Sequence, residues 1–152
     1  FWASMWGTTA LQVIQHLNPR PFCLVLKCPV SDYPQNNIDK LGNEGLIQWK
    51  QQGYKIHTRR SGEEIKIPRS YHEDMLQYTY YEHYHTIQSP TLIVHGDQDK
   101  AVSYTQSEKT ASLLPHCQLE IIPWADHYLN NPWERDLINR IFIDFIVQQL
   151  SE

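Results

Sequence analysis

Three short apolar runs punctuate the chain: Phe22–Cys28, Thr91–His95 and Gln118–Ile122. Each is strand-sized and rich in apolar residues, and each is followed by turn-rich sequence. Such runs, alternating with helical patterns, predict buried parallel strands covered on both faces. The helical patterns have their own period. Leu11, Ile14 and Leu17 lie on one face of a helix over Thr8–Leu17. Leu137, Ile138, Ile141, Phe142, Phe145, Ile146 and Leu150 form one broad stripe on a helix over Pro132–Leu150. Asn131 with Glu134, Ser103 with Gln106 and Ser70 with Glu73 have the spacing of capping boxes, and Pro132 suits a first helical position.

Asp39–Gln88 breaks this rhythm. Asp39–Gln52 reads as a helix weakened by Gly42 and Gly45. Tyr54–Ile67 alternates around Arg60-Ser-Gly-Glu63 and predicts a hairpin. The Ser70 box opens a further helix carrying Tyr71, Tyr78, Tyr80, Tyr81 and Tyr84. We expect one α/β domain over 1–152, its parallel sheet flanked by helices, with 39–88 inserted as a small cap.

The chain has 152 residues, 13 Lys+Arg against 17 Asp+Glu, and a formal net charge of −4. That balance argues against nucleic acid, which requires a basic face. A 41% hydrophobic content is globular. No apolar run approaches the ~20 residues of a membrane span. No charged and then apolar leader opens the sequence. Cys23, Cys28 and Cys117 lack a framework spacing and read as reduced thiols of a cytoplasmic protein.

Three places carry candidate chemistry. Ser4 lies in Trp2-Ala-Ser-Met-Trp-Gly7, which runs straight into a helix; it is either a serine exposed on a sharp turn or an ordinary residue near a helix start. Asp99 follows a strand ending at His95-Gly96; it either faces the crevice at the strand's carboxyl end or caps the helix near Ser103. His127, in Trp124-Ala-Asp-His-Tyr128, follows the third strand and is either a general base or a structural histidine. Asp97 and Asp126 lie beside these. Glu82-His83-Tyr84-His85, with His72 and Glu73 nearby, suggests a metal cluster, but residues two apart do not share a helix face.

The order serine, acid, histidine, each just after a strand, is that of α/β-hydrolases. Ser89–Val102 (SPTLIVHGDQDKAV) resembles the acid strand and loop of that superfamily, and Ile121–Tyr128 (IIPWADHY) its histidine loop. Cys28–Pro34 and Trp49–Gly53 resemble short-capped esterases and peptidase-like serine hydrolases. The resemblance covers the carboxyl-terminal part of that fold from the nucleophile turn onward, that is, a truncated α/β-hydrolase fold. It implies Ser4 as nucleophile, Asp99 as orienting acid, His127 as base and the Met5 amide as an oxyanion donor. It implies no cofactor and no metal, and a small ester or amide as substrate. Trp2 and Trp6 stand where the resemblance implies glycine, and there they would crowd the turn. It also implies a preceding half that supplies central strands and a second oxyanion amide. Without that half the sheet has three strands and an apolar edge at Phe22–Cys28. Phe1, Trp2, Met5 and Trp6 add to that edge, so a homo-oligomer or a complementing fragment is expected there. The alternative is a non-catalytic fragment, or an engineered half-domain, acting as an assembly module.

Overall fold

A computed structural model describes residues 2–17, 20–59 and 61–151. The chain forms two compact units, one from the segments up to Asp32 and from Tyr80 onward, the other from Tyr33–Thr79.

The first unit is a parallel sheet with helices on its faces. Its elements are β1 (Trp2–Ala3), α1 (Met5–Leu17), β2 (Leu24–Lys27), β5 (Thr91–Gly96), α4 (Thr105–Leu113), β6 (Cys117–Ile122) and α5 (Pro132–Leu150). The strand order is β1-β2-β5-β6, all parallel, with Leu26 opposite Ile93 and Ile93 opposite Leu119. Among the described residues the sheet therefore has four strands, not three. The backbone of Trp2–Ala3 adds a short edge strand to Leu26–Lys27.

Pleating explains the unbroken apolar runs. Leu24, Leu26 and Ile93 point to one face and meet Leu11, Ile14, Tyr84 and Leu114. Val25, Leu92 and Val94 point to the other and meet Ile122, Leu129, Ile138 and Phe145. Both faces are core along Leu24–Leu26 and Leu92–Val94, so no alternating polar residue appears in those stretches. Each such side chain contributes about 1.5–3 kcal/mol by leaving water.

Several boundaries differ from the sequence reading. Phe22 lies before β2 and is exposed, and Cys28 leaves the strand with φ +42. β6 is an edge strand, so Gln118 is exposed and most of its residues are only half-buried. α5 buries Ile138 and Phe145, but Leu137, Ile146 and Leu150 of the expected stripe are exposed. Its start is as expected: the Glu134 carboxylate accepts the backbone N–H of Asn131 at 2.8 Å. The other two boxes do not form. α4 begins at Thr105, and the Gln106 side-chain oxygen instead accepts the amides of Ser31 and Asp32, both at 3.0 Å.

The second unit holds α2 (Tyr33–Gln52), the antiparallel pair β3 (Tyr54–Thr58) and β4 (Glu64–Pro68), and α3 (Arg69–Met75). α2 starts earlier than expected and is kinked at Gly42, which has φ +59. The hairpin forms as read; Arg60 at its turn lies outside the described residues. α3 ends early, at Met75; Ser70 sits inside it rather than at its cap, and Glu73 pairs with Arg69 at 3.4 Å. Tyr78, Tyr80 and Tyr81 lie beyond it, and Tyr84 opens a single 3₁₀ turn over Tyr84–Thr86. Trp49 is the unit's anchor, fully buried with its indole N–H donated to the Ile67 carbonyl at 3.1 Å.

Candidate active site

The site is built at the carboxyl ends of β1, β5 and β6. Ser4 follows β1 directly and takes φ +51, a left-handed conformation that costs a non-glycine residue about 1–2 kcal/mol. The neighbours hold it there. Its N–H donates to the Lys27 carbonyl, and its own carbonyl accepts from the Gly7 and Val30 amides, all at 3.0 Å. Thr8 fastens the same crossing by donating its hydroxyl to the Val30 carbonyl. A Cβ on Gly7 would stand 2.5 Å from Pro29 Cβ, so this one glycine lets α1 begin against the β2 loop. Trp6 does not crowd the turn, contrary to expectation. It lies in the first turn of α1 with 65% of its surface exposed. Phe1 and the Trp2 side chain lie outside what is described. Met5 is the first residue of α1, so its amide lies at the helix's amino end.

Asp99 sits in the turn after β5, with its side chain fully buried. One carboxylate oxygen accepts the amides of Ala101 and Val102 at 2.7 and 2.8 Å. The other lies 2.6 Å from His127 Nδ1 and 3.0 Å from His95 Nε2. Burial alone would raise this acid, but the hydrogen bonds from His127, His95 and the Val102 amide outweigh it. They hold Asp99 well below the usual carboxylate range. Asp99 is therefore an anion that accepts from four donors.

His127 is carried by the loop after β6. Asp126 accepts the amides of Tyr128 and Leu129 at 2.8 and 3.2 Å. Asp97 accepts the Trp124 amide at 2.7 Å. Lys27 Nζ donates to the Tyr128 carbonyl at 2.5 Å, and Leu129 is sunk in the core. So fixed, His127 presents Nε2 to Ser4 Oγ at 3.1 Å. The tautomer follows from the partners: Nδ1 faces a carboxylate and carries the hydrogen, which leaves Nε2 to accept the serine hydroxyl. A hydroxyl backed by a neutral imidazole and a buried carboxylate can lose its proton as it attacks an electrophile.

Sequence reasoning missed His95 and Gly96. His95 is fully buried, and its Nδ1 lies 2.7 Å from Ser107 Oγ. The available signal was its spacing of four residues from Asp99. A Cβ on Gly96 would meet the Ala125 carbonyl oxygen at 2.2 Å, so glycine there admits the histidine loop. Cys28 joins His95 and Asp99 in a group whose donor atoms lie within 4.8 Å of one another. His95 Nε2, though, faces Asp99 and the Val102 carbonyl, two acceptors, and so carries a hydrogen. Burial pushes the Cys28 thiol up to about 12. His72 is buried against Trp49 and accepts from Asn37 at 3.1 Å.

Known proteins of this architecture are α/β-hydrolases. Est1E from Butyrivibrio proteoclasticus superposes with a TM-score of 0.77 at 22% identity, covering 99% of this chain and 61% of that one. Alpha/beta hydrolase domain-containing protein 10 from mouse gives 0.76 at 17% identity, covering 95% and 60%. In sequence, 47 residues are 40% identical to 2-(acetamidomethylene)succinate hydrolase of Mesorhizobium japonicum, which is 31% of this chain and 17% of that protein. The chain thus spans about three fifths of these solved chains and a smaller share of the curated relative. The pattern of the prolyl oligopeptidase family matches residues 6–152, nearly the whole sequence, and the chain belongs to that family.

Proposed function

We propose that this chain is a serine hydrolase of carboxylic ester or amide bonds, with Ser4, His127 and Asp99 as its triad. The observation that carries this is the hydrogen-bonded line Ser4 Oγ–His127–Asp99, at 3.1 and 2.6 Å. Ser4 Oγ attacks the carbonyl carbon while His127 Nε2 takes its proton. The imidazolium, balanced by Asp99, then protonates the leaving alcohol or amine. Water repeats the sequence on the acyl-enzyme, releasing the acid and restoring Ser4. The Met5 amide serves as one donor to the oxyanion. No step calls on a cofactor.

The substrate is a small ester or amide. A structure of Est1E carries ferulic acid, which supports an arylcarboxylate acyl group as the first to try. No helix among the described residues is long and apolar enough to cross a membrane. Cys23, Cys28 and Cys117 are all unbridged, which supports a cytoplasmic setting. Self-association through the β1 edge belongs to the same reading.

A fluorophosphonate probe and a nitrophenyl ester test it. Labelling and turnover are expected in the wild type. With Ser4→Ala, labelling should vanish and turnover fall by about 10³-fold or more. Labelling that survives Ser4→Ala would overturn the assignment. A wild type that neither labels nor turns over would favour the non-catalytic assembly module.

A further inference from the structure

We propose that His95 is a positioning residue for the reaction: with Ser107 behind it, it fixes the Asp99 carboxylate in the orientation that His127 requires. The proposal rests on the hydrolase reading for its kinetic part and on the hydrogen-bond network alone for the rest.

The network fixes one nitrogen of His95. Nε2 stands 3.0 Å from Asp99 Oδ2 and 3.1 Å from the Val102 carbonyl, and neither atom has a hydrogen to give. Nε2 therefore carries one. In the neutral ring Nδ1 must then accept, and Ser107 Oγ, at 2.7 Å, is its donor. Both side chains are completely buried, so no water competes for these bonds. The Val102 carbonyl thus selects the tautomer, and the tautomer aims an N–H at Asp99.

The consequence falls on one oxygen. Asp99 Oδ2 is shared between His95 and His127, while Oδ1 is held by the Ala101 and Val102 amides. Two amides on one oxygen leave the carboxylate able to pivot about them. The His95 N–H removes that freedom and draws negative charge away from the His127 bond. Losing it frees the carboxylate and concentrates its charge on His127. The imidazolium form of His127 is then favoured, and the base is held less exactly toward Ser4.

The test compares wild type with His95→Gln, His95→Leu and Ser107→Ala, using Ser4→Ala as the blank and circular dichroism to check folding. Gln can place an amide N–H near the position of Nε2; Leu cannot. With a nitrophenyl ester, His95→Leu should lower kcat by about tenfold or more while KM changes less than about twofold. The acid limb of its pH–kcat/KM profile should move to higher pH. His95→Gln should recover most of the loss, and Ser107→Ala should fall between. Equal kcat and an unmoved acid limb in folded His95→Leu would overturn the proposal. A second readout does not need activity. The proton on His127 Nδ1, held against the buried Asp99 carboxylate, should give a slowly exchanging low-field NMR signal. In His95→Leu and Ser107→Ala that signal should shift or exchange faster. An unchanged signal in both overturns the proposal, even if Ser4→Ala shows that turnover never depended on Ser4.

Discussion

Gly96 governs how near the histidine loop can come to β5. The atoms that a side chain there would strike are the Ala125 carbonyl oxygen and carbon and the Asp126 carbonyl oxygen, at 2.2, 2.6 and 2.8 Å. All three are backbone, so none can swing aside, and His127 is the next residue along. Gly96→Ala should therefore push the loop outward and misplace the imidazole. We expect a loss of about 1–3 kcal/mol from overpacking and about 10²-fold in turnover, since an error near 1 Å has that effect. Paired thermal melts and ester kinetics would show both; an unchanged rate in the folded variant would sink the argument. The residues facing one another at the site differ in how visible they are in sequence. Ser4, Asp99 and His127 are candidates from chain order, each just after a strand. His95 does not, because its role depends on Ser107 twelve positions away and on a carbonyl that only the folded turn supplies. Gly96 reads as a turn former, but its partner, Ala125, is known only once β5 and β6 are paired.

Helices and strands show the same division. Strands β2 and β5 were legible because both faces are core and the apolar signal is unbroken. The box at Asn131 and Glu134 was legible because its partners are three residues apart, and Glu134 accepts both the backbone and the side-chain amide of Asn131. Gln106 and Glu73 have the same spacing from a serine but found other partners, the Ser31 and Asp32 amides and Arg69. Local pattern is a preference that tertiary contacts override. β3 offers a pH test of one such contact. Lys55 Nζ donates to Asn37 at 2.8 Å and lies 4.1 Å above the Trp49 ring. Burial, with Lys40 nearby, lowers the amine from 10.5 to about 8. The folded value is below the unfolded one. Between these values the unfolded chain keeps a proton that the folded chain has shed, so this group's contribution to stability rises with pH. The thiols Cys28 and Cys117, both raised to about 12, act in the opposite sense. The difference between wild type and Lys55→Met isolates the amine. Melts from pH about 7 to about 9.5 should show that difference moving in favour of wild type. A difference that stays flat would mean that Lys55 remains protonated in the fold.

The assembled sheet is asymmetric in its protection. β6 and β5 are paired along six residues, and β5 with β2 along four, but β1 covers only Leu26 and Lys27 of β2. β1 is the sheet's last strand among the described residues, and a two-residue strand offers little to blunt an edge. Apolar surface gathers in the same unit. Met5, Trp6 and Phe22 are 42%, 65% and 56% exposed, and Val13 of α1 is exposed as well. The chain spans 61% of Est1E. A second copy is the occupant that a solution of this chain can supply, since an edge strand offers its N–H and C=O groups to any neighbour of the same twist. We therefore expect dimers or larger species in size-exclusion chromatography with light scattering. The assembly should weaken when Trp6→Glu and Phe22→Glu place charge beside the edge, a substitution of exposed side chains that leaves the core untouched. Elution of the wild type as a monomer across the micromolar range would refute self-association, and monomers produced only by unfolding would refute this choice of surface.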